Sequence, residues 1–343
     1  MTQHIRRVVV TADEVGWETA PAPVAGPGEV LVRTSLVGVC GSDTHAALGR
    51  HPFIELPYRP GHEVVGVIAA TGSGVESMRV GDRVVVEPNL YCGSCFQCRS
   101  GRYNICRQLK VFGCQVPGGL AELFTIPADR VHILPDAMSD TQAALIEPLA
   151  TPLAAIAKAG DLRGRTVAIL GAGPIGLLLL AAARHQGAAK VAVTDLLASK
   201  RARALRLGAD AVFPADSPDL VTAAHDALEG AADVVFDCVS RESSLAQAVD
   251  LVTKGGLVVV VGVGLPGTTP VRIDLIQDRE IRLAGSLMYV AEDFAQAMSL
   301  IGSGGVDVDE LVTATFPFHE ADKAFAASCD PEQVKVLITV APA

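Results

Sequence analysis

Positive charge is in the minority in this sequence of 343 residues, which has 28 Lys and Arg residues against 38 Asp and Glu residues. The formal net charge of -10 argues against a surface built to bind polyanions, so nucleic acid is not expected as a partner. Charged residues make up only 19% of the chain, against 50% apolar residues, which excludes a disordered acidic tail. Internal repeats and low-complexity tracts are absent too. The composition is that of a folded globular protein.

Long uninterrupted apolar runs are also missing. The beginning, "MTQHIRRVVVTADEVGWE", reaches acidic residues before any apolar stretch of signal-peptide length, so a cytoplasmic protein is expected, with no membrane partner. The most apolar segment, residues 167–183 with the sequence "VAILGAGPIGLLLLAAA", approaches the ~20 residues that span a bilayer. Glycines and a proline interrupt it early, which favours a buried strand, a tight turn and a helix over a membrane helix.

The length is too great for one ordinary core and suits two domains. Up to about Asp140, short Val-rich runs such as "EVVGVIAATG" and "GDRVVVEP" alternate with Gly and Pro, which predicts a β-rich domain, a barrel. From Thr166, apolar runs such as "TVAILG" and "KVAVTD" alternate with Ala- and Leu-rich stretches of helical length, which predicts a parallel, doubly wound sheet. After Gly285 the pattern is mixed and ends in the strand-like "KVLITV", so the first domain is expected to resume there.

Four of the eight cysteines lie close together in the segment "YCGSCFQCRSGRYNIC". Thiols packed this closely in a cytosolic chain indicate a metal rather than disulfides. Four thiolates suit a tetrahedral structural zinc, which needs no open position and holds a loop that has little core of its own. An iron–sulfur cluster also takes four cysteines and is the alternative. The predicted ligands of the structural zinc are Cys92, Cys95, Cys98 and Cys106.

A second group of metal-binding side chains is predicted around Cys40, which lies in "VGVCGSDTHAALG". The segment "RPGHEVVG" follows with His62 and Glu63. A thiolate, an imidazole and a carboxylate suit a catalytic zinc, which takes three protein ligands and keeps one position free. Glu147 in "ALIEPLAT" adds a carboxylate to this site or caps a helix. The remaining single cysteines are expected to be ordinary buried thiols: Cys114, Cys238 and Cys329.

The segment "VAILGAGPIG" has the GxGxxG spacing between a predicted strand and a predicted helix, with Gly171, Gly173 and Gly176. The first two glycines permit a tight turn and the close approach of a pyrophosphate, which then lies at the helix N-terminus. The next predicted strand, "KVAVTD", ends in Asp195. A carboxylate there accepts hydrogen bonds from ribose hydroxyls and repels a 2′-phosphate, which favours NAD over NADP. The alternative is an Asp that caps an ordinary turn.

Together these motifs resemble those of the zinc-dependent medium-chain alcohol dehydrogenase family, in particular its polyol (sorbitol), threonine and butanediol dehydrogenase-like branch. The segments "CGSDTH", "GHE", "GDRV", the four-cysteine segment, "EPLAT" and "GAGPIGL" occur in the family's order and cover nearly the whole chain. The resemblance implies an α/β fold, with a GroES-like β-barrel catalytic domain, a doubly wound Rossmann dinucleotide-binding domain and the active site in the cleft between them. It implies a homodimer or homotetramer. The implied ranges are 1–149 for the catalytic domain with a structural zinc lobe at 88–107, 150–285 for the NAD-binding domain, and 286–343 for a return segment.

The resemblance also implies roles for single residues. Cys40, His62 and Glu63 match the catalytic zinc ligands, and Glu147 matches either a fourth ligand or the partner of zinc-bound water. Asp43 would orient His62, a common support for a zinc-bound imidazole. The residues implied to bind the cofactor are Thr151, Gly171, Gly173, Pro174, Ile175, Gly176, Asp195, Lys200 and Val263.

The reaction implied is the NAD-dependent oxidation of a secondary alcohol with two zinc ions per chain. The catalytic zinc acts as a Lewis acid and lowers the pKa of the substrate hydroxyl, so that hydride can pass to the nicotinamide. The proton would leave through Ser42 and the cofactor ribose to His45, although either residue could instead only shape the turn. A zinc-free reductase of the same fold lacks the cysteine segment and the first zinc ligands, which argues against that alternative.

The alcohol itself is specified only weakly. Sorbitol-type relatives carry an Arg-Tyr pair where this chain has Met288 and Tyr289. Met offers apolar surface where Arg would offer several donors, so a vicinal diol or a small deoxygenated polyol is expected to react better than sorbitol. Oxidation of an amino alcohol such as L-threonine and a non-catalytic NAD-binding protein are the alternatives. Other positions that could set the specificity are Leu48, Phe112 and Gln115.

Overall fold

The computed structural model describes residues 4–340. Contacts divide the chain into two units, the first consisting of Met1–Glu147 with Leu311–Ala343 and the second of Pro148–Glu310. The sequence pattern predicts that the chain returns to the first unit near residue 286. In the structure the return begins at Leu311 instead. Residues 286–310 belong with the second unit because they pack there: Glu310, for example, accepts two hydrogen bonds of 2.9 Å from the Arg206 guanidinium.

The first part of the first unit consists mainly of strands. In chain order its elements are β1 (His4–Val10), β2 (Val15–Pro21), β3 (Glu29–Val39), α1 (Gly41–Ala47), β4 (Glu63–Thr71), β5 (Arg83–Val86), β6 (Asn89–Leu90), α2 (Phe96–Arg99), β7 (Lys110–Val111), β8 (Leu123–Pro127), β9 (Val131–Ile133) and α3 (Asp140–Ala143). This series confirms the prediction of a β-rich domain.

Strands and helices alternate in the second unit, which the chain enters along α4. In chain order the elements are α4 (Ile146–Ala159), β10 (Thr166–Leu170), α5 (Pro174–His185), β11 (Lys190–Asp195), α6 (Ala198–Arg206), β12 (Ala211–Pro214), α7 (Leu220–Leu228), β13 (Ala232–Asp237), α8 (Glu242–Leu251), β14 (Val252–Val260), α9 (Ile273–Asp278), β15 (Arg282–Gly285) and α10 (Ala291–Gly302). The chain then returns to the first unit through α11 (Val308–Leu311), β16 (Val312–Pro317), α12 (Ala321–Ser328) and β17 (Lys335–Thr339).

The second unit contains a six-stranded parallel sheet in the order β12-β11-β10-β13-β14-β15. This is the strand order of doubly wound dinucleotide-binding domains. Its first strand, β10, lies in the middle, and the chain adds strands first on one side of it and then on the other. The apolar segment 167–183 forms the buried strand β10, a turn and the helix α5, as its glycines and proline predict. Within residues 4–340, no helix is both long and apolar enough to cross a membrane.

The main sheet of the first unit has seven strands, with β3 at its centre. β3 pairs with β4 along one edge and, along the other, with β8 near its start and β17 near its end. In this register Gly38 lies opposite Glu63, and Val39 lies opposite Val336. The end of β3, the start of β4 and the start of β17 therefore meet at one place, although they are far apart in the sequence.

Candidate active site

Three candidate metal ligands come together where these strand ends meet. Cys40 follows β3 and is the N-cap residue of α1, while His62 and Glu63 stand at the start of β4. One ligand atom from each residue, a thiol sulfur, a ring nitrogen and a carboxylate oxygen, lies within 4.8 Å of the other two. Zinc binds sulfur, nitrogen and oxygen donors of this kind, and a set of three leaves a fourth tetrahedral position for another molecule. The donor set therefore fits a catalytic zinc.

Asp43 supports this group of ligands from the first turn of α1. Its carboxylate is buried and accepts hydrogen bonds from the Cys40 backbone N–H, at 3.1 Å, and from the Tyr58 hydroxyl, at 3.1 Å. Its Oδ1 atom lies 3.8 Å from Nδ1 of His62, which is too long for a hydrogen bond. Among residues 4–340 the buried Nδ1 atom has no hydrogen-bond partner. Asp43 is therefore next to the imidazole that it is predicted to orient, but the two are not hydrogen-bonded.

Charge near His62 changes the pKa of its imidazole. Burial acts to lower this pKa, but the negative charge of Asp43 and the nearby thiols of Cys114 and Cys40 outweigh burial and raise it well above its usual range. A metal ligand must be the neutral imidazole, so a metal that binds here displaces a proton from the ring.

The four thiols of the cysteine segment form a compact cluster around α2. Their sulfurs are separated by 3.9 Å (Cys92 to Cys98), 3.4 Å (Cys95 to Cys98), 3.9 Å (Cys95 to Cys106) and 3.5 Å (Cys92 to Cys106). A tetrahedral zinc with Zn–S bonds of about 2.3 Å separates its sulfurs by about 3.8 Å. The cluster therefore has the dimensions of the shell around a single ion. Backbone amides of Ser94 and Cys95 also lower the pKa of Cys92 to about 6, which favours its thiolate.

A buried polar network attaches this zinc lobe to the main sheet. Glu87, which follows β5, accepts hydrogen bonds from the Tyr103 hydroxyl at 2.7 Å and from the Arg130 guanidinium at 2.9 Å, and its other oxygen is 2.8 Å from Nε2 of His132. The Arg130 guanidinium also lies over the Tyr91 ring, at 4.6 Å, and that ring stacks on Tyr103. Both tyrosines belong to the zinc lobe, so their contacts with Glu87 and Arg130 attach the lobe to the main sheet.

In the second unit, the glycine turn has the geometry of a phosphate-binding loop. Gly171 has a φ of 97°, a conformation that favours glycine, and a Cβ on Gly176 would lie 1.8 Å from the Gly171 carbonyl oxygen. Gly173 is the N-cap residue of α5, and Pro174 occupies its first turn. A Cβ on Gly173 would meet no atom within 4 Å, so the space in front of this helix N-terminus is open. An anionic pyrophosphate fits this position.

Asp195, at the end of β11, lies beside this turn. Its carboxylate accepts hydrogen bonds of 2.9 Å from the backbone N–H of Ala172 in the turn and from that of Leu197. Each carboxylate oxygen keeps a further lone pair for a ribose hydroxyl. Lys200 and Arg201 follow on α6, and the Arg201 guanidinium donates to the backbone carbonyls of Asp195 and Leu196. Arg201 thus fixes the strand end that presents the carboxylate.

Comparison with known proteins identifies the family of the chain. Residues 26–136 match the family model of the alcohol dehydrogenase GroES-like domain, and residues 174–303 match that of the zinc-binding dehydrogenases. Sorbitol dehydrogenase of Bacillus subtilis (strain 168) is 34% identical over 95% of this chain and 94% of its own. The chain belongs to the zinc-binding dehydrogenase family.

Solved structures of other zinc-binding dehydrogenases have the same fold. The structure of 2R,3R-butanediol dehydrogenase from Bacillus subtilis superposes with a TM-score of 0.90 at 30% identity, covering 98% of this chain and 100% of that one. A zinc-binding dehydrogenase of Sinorhizobium meliloti 1021, solved with NADP bound, gives a TM-score of 0.90 at 30% identity, covering 98% of this chain and 100% of that one. Both confirm the fold class predicted from the sequence: a GroES-like barrel domain with a Rossmann domain.

The other residues predicted to act in this zinc-binding dehydrogenase lie on helices and loops. Glu147 is buried in the first turn of α4, but it does not belong to the set of described residues whose ligand atoms all lie within 4.8 Å of one another. Ser42 is half-buried and His45 is exposed, both on α1. Thr151 is half-buried on α4, and Val263 is exposed in the loop after β14. The roles of these five residues stay predictions.

Two residues near the metal site were missed by sequence reasoning. Lys335, at the start of β17, is buried, and its Nζ atom is 2.6 Å and 2.7 Å from the two carboxylate oxygens of Glu63. The only signal in the sequence was a Lys at the head of the apolar run "KVLITV". Cys114, expected to be an ordinary thiol, lies close enough to His62 to raise the pKa of its imidazole, and burial raises the pKa of the Cys114 thiol itself. Lys335 is far from Glu63 in the sequence, and Cys114 is far from His62, so no local sequence pattern predicts either pairing.

Burial corrects one sequence-based expectation and describes the surroundings of two further residues. Cys329 is exposed at the end of α12 and is not a buried thiol. Phe112, considered as a specificity residue, is buried in the core of the first unit, where it packs on Phe124. Tyr289 is likewise buried and packs on the Phe294 ring. The Gln115 side chain hydrogen-bonds the backbone of Val111 and of Phe53, and Leu48 is exposed. The roles of Leu48, Phe112 and Gln115 in specificity stay predictions.

Proposed function

We propose that this zinc-binding dehydrogenase transfers a hydride between NAD(H) and a secondary alcohol of the polyol or vicinal diol type. The observation that carries the proposal is the Cys40, His62 and Glu63 donor set, which leaves one position of a tetrahedral metal free. The open, glycine-lined N-terminus of α5 supports a dinucleotide as the hydride acceptor. The named activities of relatives, sorbitol and butanediol dehydrogenase, support the substrate class.

Each residue of the metal site has a role in this proposal. A zinc ion held by Cys40, His62 and Glu63 supplies Lewis-acid chemistry that makes a substrate hydroxyl more acidic. Ser42 and His45 are three residues apart on α1, so their side chains share one face of the helix. The half-buried serine and the exposed histidine give the proton a way out to solvent. Glu147, buried in the first turn of α4 and close enough to Lys335 to act on its charge, serves as a fourth ligand or as the partner of a metal-bound water.

The proposal is tested by metal analysis and by a panel of alcohols with NAD: sugar alcohols, vicinal diols, L-threonine and simple secondary alcohols. We expect two zinc ions per chain and NADH formation with a polyol or a diol. Preferential oxidation of L-threonine would favour the amino-alcohol alternative. NAD binding without turnover of any alcohol would favour a non-catalytic protein.

Asp195 is expected to set the choice of cofactor. The change Asp195→Ala should weaken NAD binding and relieve the repulsion of NADP, shifting the preference by about 1–3 kcal/mol, the free energy of charge-assisted hydrogen bonds. The measurement is the ratio of kcat/KM for NAD to kcat/KM for NADP. Asp210→Ala is the matched control, because Asp210 also accepts a hydrogen bond from a backbone N–H of β11, 2.7 Å from Val191, but precedes β12 instead of following β11. Wild-type protein that used NADP as well as NAD would contradict this role.

Met288 is proposed to disfavour long sugar alcohols. It has a φ of 48°, an unusual conformation for a bulky side chain, and stands where sorbitol-type relatives carry Arg. A polar group of sorbitol left unpaired when buried costs about 1–3 kcal/mol. We therefore expect the wild type to have a higher kcat/KM for a butanediol than for sorbitol, and Met288→Arg to raise the value for sorbitol. Leu287→Arg is the control, and no gain for sorbitol from Met288→Arg would contradict the idea.

Association into a dimer or tetramer and a cytoplasmic location complete the proposal. β15 is an edge strand of the parallel sheet, and the nearby side chains of Leu283 and Leu287 are about half exposed, which favours contact with a second copy of the chain. All eight cysteines are free, as in proteins of a reducing compartment. Light scattering of the purified protein tests the first point and fractionation of cells tests the second.

A further inference from the structure

Lys335 directs all three of its ammonium protons at acceptors of the protein, two of them at the predicted metal ligand Glu63. Its Nζ atom lies 2.6 Å from Oε1 and 2.7 Å from Oε2 of Glu63, and 3.4 Å from the carbonyl oxygen of Val39. An ammonium has three protons to donate, so these contacts leave none for a substrate. The side chains of Lys335 and Glu63 are only 3% and 1% exposed. Lys335 is therefore committed to holding the carboxylate.

The position of the ammonium relative to the carboxylate determines how Glu63 can bind a metal. Nζ is almost equally far from both oxygens, so it lies on the plane that bisects the carboxylate group and pairs with both oxygens at once. A metal ion bound by both oxygens of Glu63 would need that same place. One oxygen of Glu63 nevertheless lies within 4.8 Å of the Cys40 and His62 ligand atoms and keeps a lone pair on its other side.

The main chain provides the space that this arrangement needs. Gly38 lies opposite Glu63 in the β3–β4 pairing, and a Cβ on Gly38 would lie 1.9 Å from Oε2 of Glu63. Any residue larger than glycine would displace the carboxylate from the place where it pairs with Lys335. The glycine and the lysine thus come from the two strands that meet near Glu63, β3 and β17, and act on the same side chain.

We propose that Lys335 is a positioning residue that restricts Glu63 to binding the catalytic metal through one oxygen and so keeps a coordination position open for the substrate. The inference rests on the proposed function of the Cys40 site as a catalytic metal centre. Without the ammonium, Glu63 would be free to turn and grip the metal with both oxygens. It would also lose a neighbouring positive charge that repels the metal. The second oxygen would fill the open position, and both changes would hold the ion more tightly.

Cobalt(II) substitution tests this inference, because four-coordinate cobalt absorbs visible light more strongly than cobalt with more ligands. Lys335→Met should lower the visible absorption of the Cys40 site about twofold or more, as the coordination number rises. It should also make the release of zinc from this site to a chelator about 10-fold slower or more, because the carboxylate binds through two atoms and the repulsion is lost. The absorption of cobalt in the zinc lobe is subtracted with a Cys40→Ser sample.

Three further variants make the result specific. Lys335→Arg should retain the wild-type spectrum, since a guanidinium also pairs with both oxygens of a carboxylate. Gly38→Ala should change the spectrum in the same direction as Lys335→Met, and it tests the inference if the Met variant does not fold. Lys323→Met is the matched control, because Lys323 forms an exposed ion pair of 2.6 Å with Glu320 in the same unit.

The outcomes separate this inference from the function on which it rests. Wild-type protein that takes up cobalt only in the zinc lobe would overturn the catalytic metal site itself. A normal spectrum and normal zinc release in both Lys335→Met and Gly38→Ala would overturn only the role of Lys335. Faster loss of zinc from folded Lys335→Met protein would also overturn it, because the lysine would then support metal binding rather than restrict Glu63.

Discussion

Replacing Cys40 by Ser should abolish turnover and remove one of two zinc ions while the chain stays folded. Cys40 is the single thiol in its donor set, and it stands at the end of the central strand β3 rather than inside the core. The loss of a Lewis acid removes several kcal/mol of stabilisation from the transition state. We expect kcat to fall about 1,000-fold or more, which corresponds to about 4 kcal/mol.

The measurement combines elemental analysis, steady-state kinetics and NADH binding on the same sample. Binding of NADH should persist, because the glycine turn and Asp195 belong to the second unit. Cys329→Ser is the matched control, since this thiol is exposed at the end of α12 and should affect neither zinc nor kcat. A Cys40→Ser protein with two zinc ions and normal turnover would rule out the catalytic assignment.

The second large effect is expected at the zinc lobe and concerns stability instead of catalysis. α2, which contains Cys98 and has Cys95 as its N-cap residue, has no buried residue, so the lobe has little apolar surface to hold it together. The binding energy of a structural zinc is folding energy in such a segment. Cys95→Ser removes one of four ligands and should destabilise the folded protein by about 4 kcal/mol, lowering Tm by about 10 °C.

Calorimetry and elemental analysis test this prediction, with Ser94→Ala as the control next to Cys95 in the same loop. We expect Cys95→Ser to lose one zinc ion and solubility, while the folded fraction still binds zinc at Cys40. An unchanged Tm after the loss of the lobe zinc would mean that the network around Glu87 and Arg130 holds the lobe alone. Iron in place of zinc in fully active wild type would contradict the structural zinc outright.

The parts of the fold that follow from local patterns could be predicted from the sequence. The spacing of glycines after "TVAIL" predicts a strand, a turn and a helix because only glycine fits at φ 97° and beside the Gly171 carbonyl. The four-cysteine segment is equally local, since one short loop supplies every ligand. The later domain boundary could not be predicted, because it depends on which unit residues 286–310 pack against and not on their own pattern.

The candidate metal site shows the same division between local and distant information. Cys40, His62 and Glu63 could be found because their residue types and short spacing carry chemistry on their own. Lys335 could not be found, because nearly 300 residues separate it from Cys40. A lysine at the start of an apolar run also gives no sign, in the sequence alone, that its side chain is buried. The distance between Asp43 and His62 could not be predicted either, because it depends on how α1 packs near the start of β4.

The pairing of β3 with β17 has a consequence for the order of events during synthesis. A growing chain presents Cys40, His62 and Glu63 early, but Lys335 emerges only after the whole second unit has been made. Contacts between such distant segments form late in folding, because a long loop must close first. Until β17 docks, Glu63 has no ammonium to hold it, and any metal captured by the nascent site would meet an unrestrained carboxylate. Maturation of the site is thereby tied to the arrival of one of the last strands to be made.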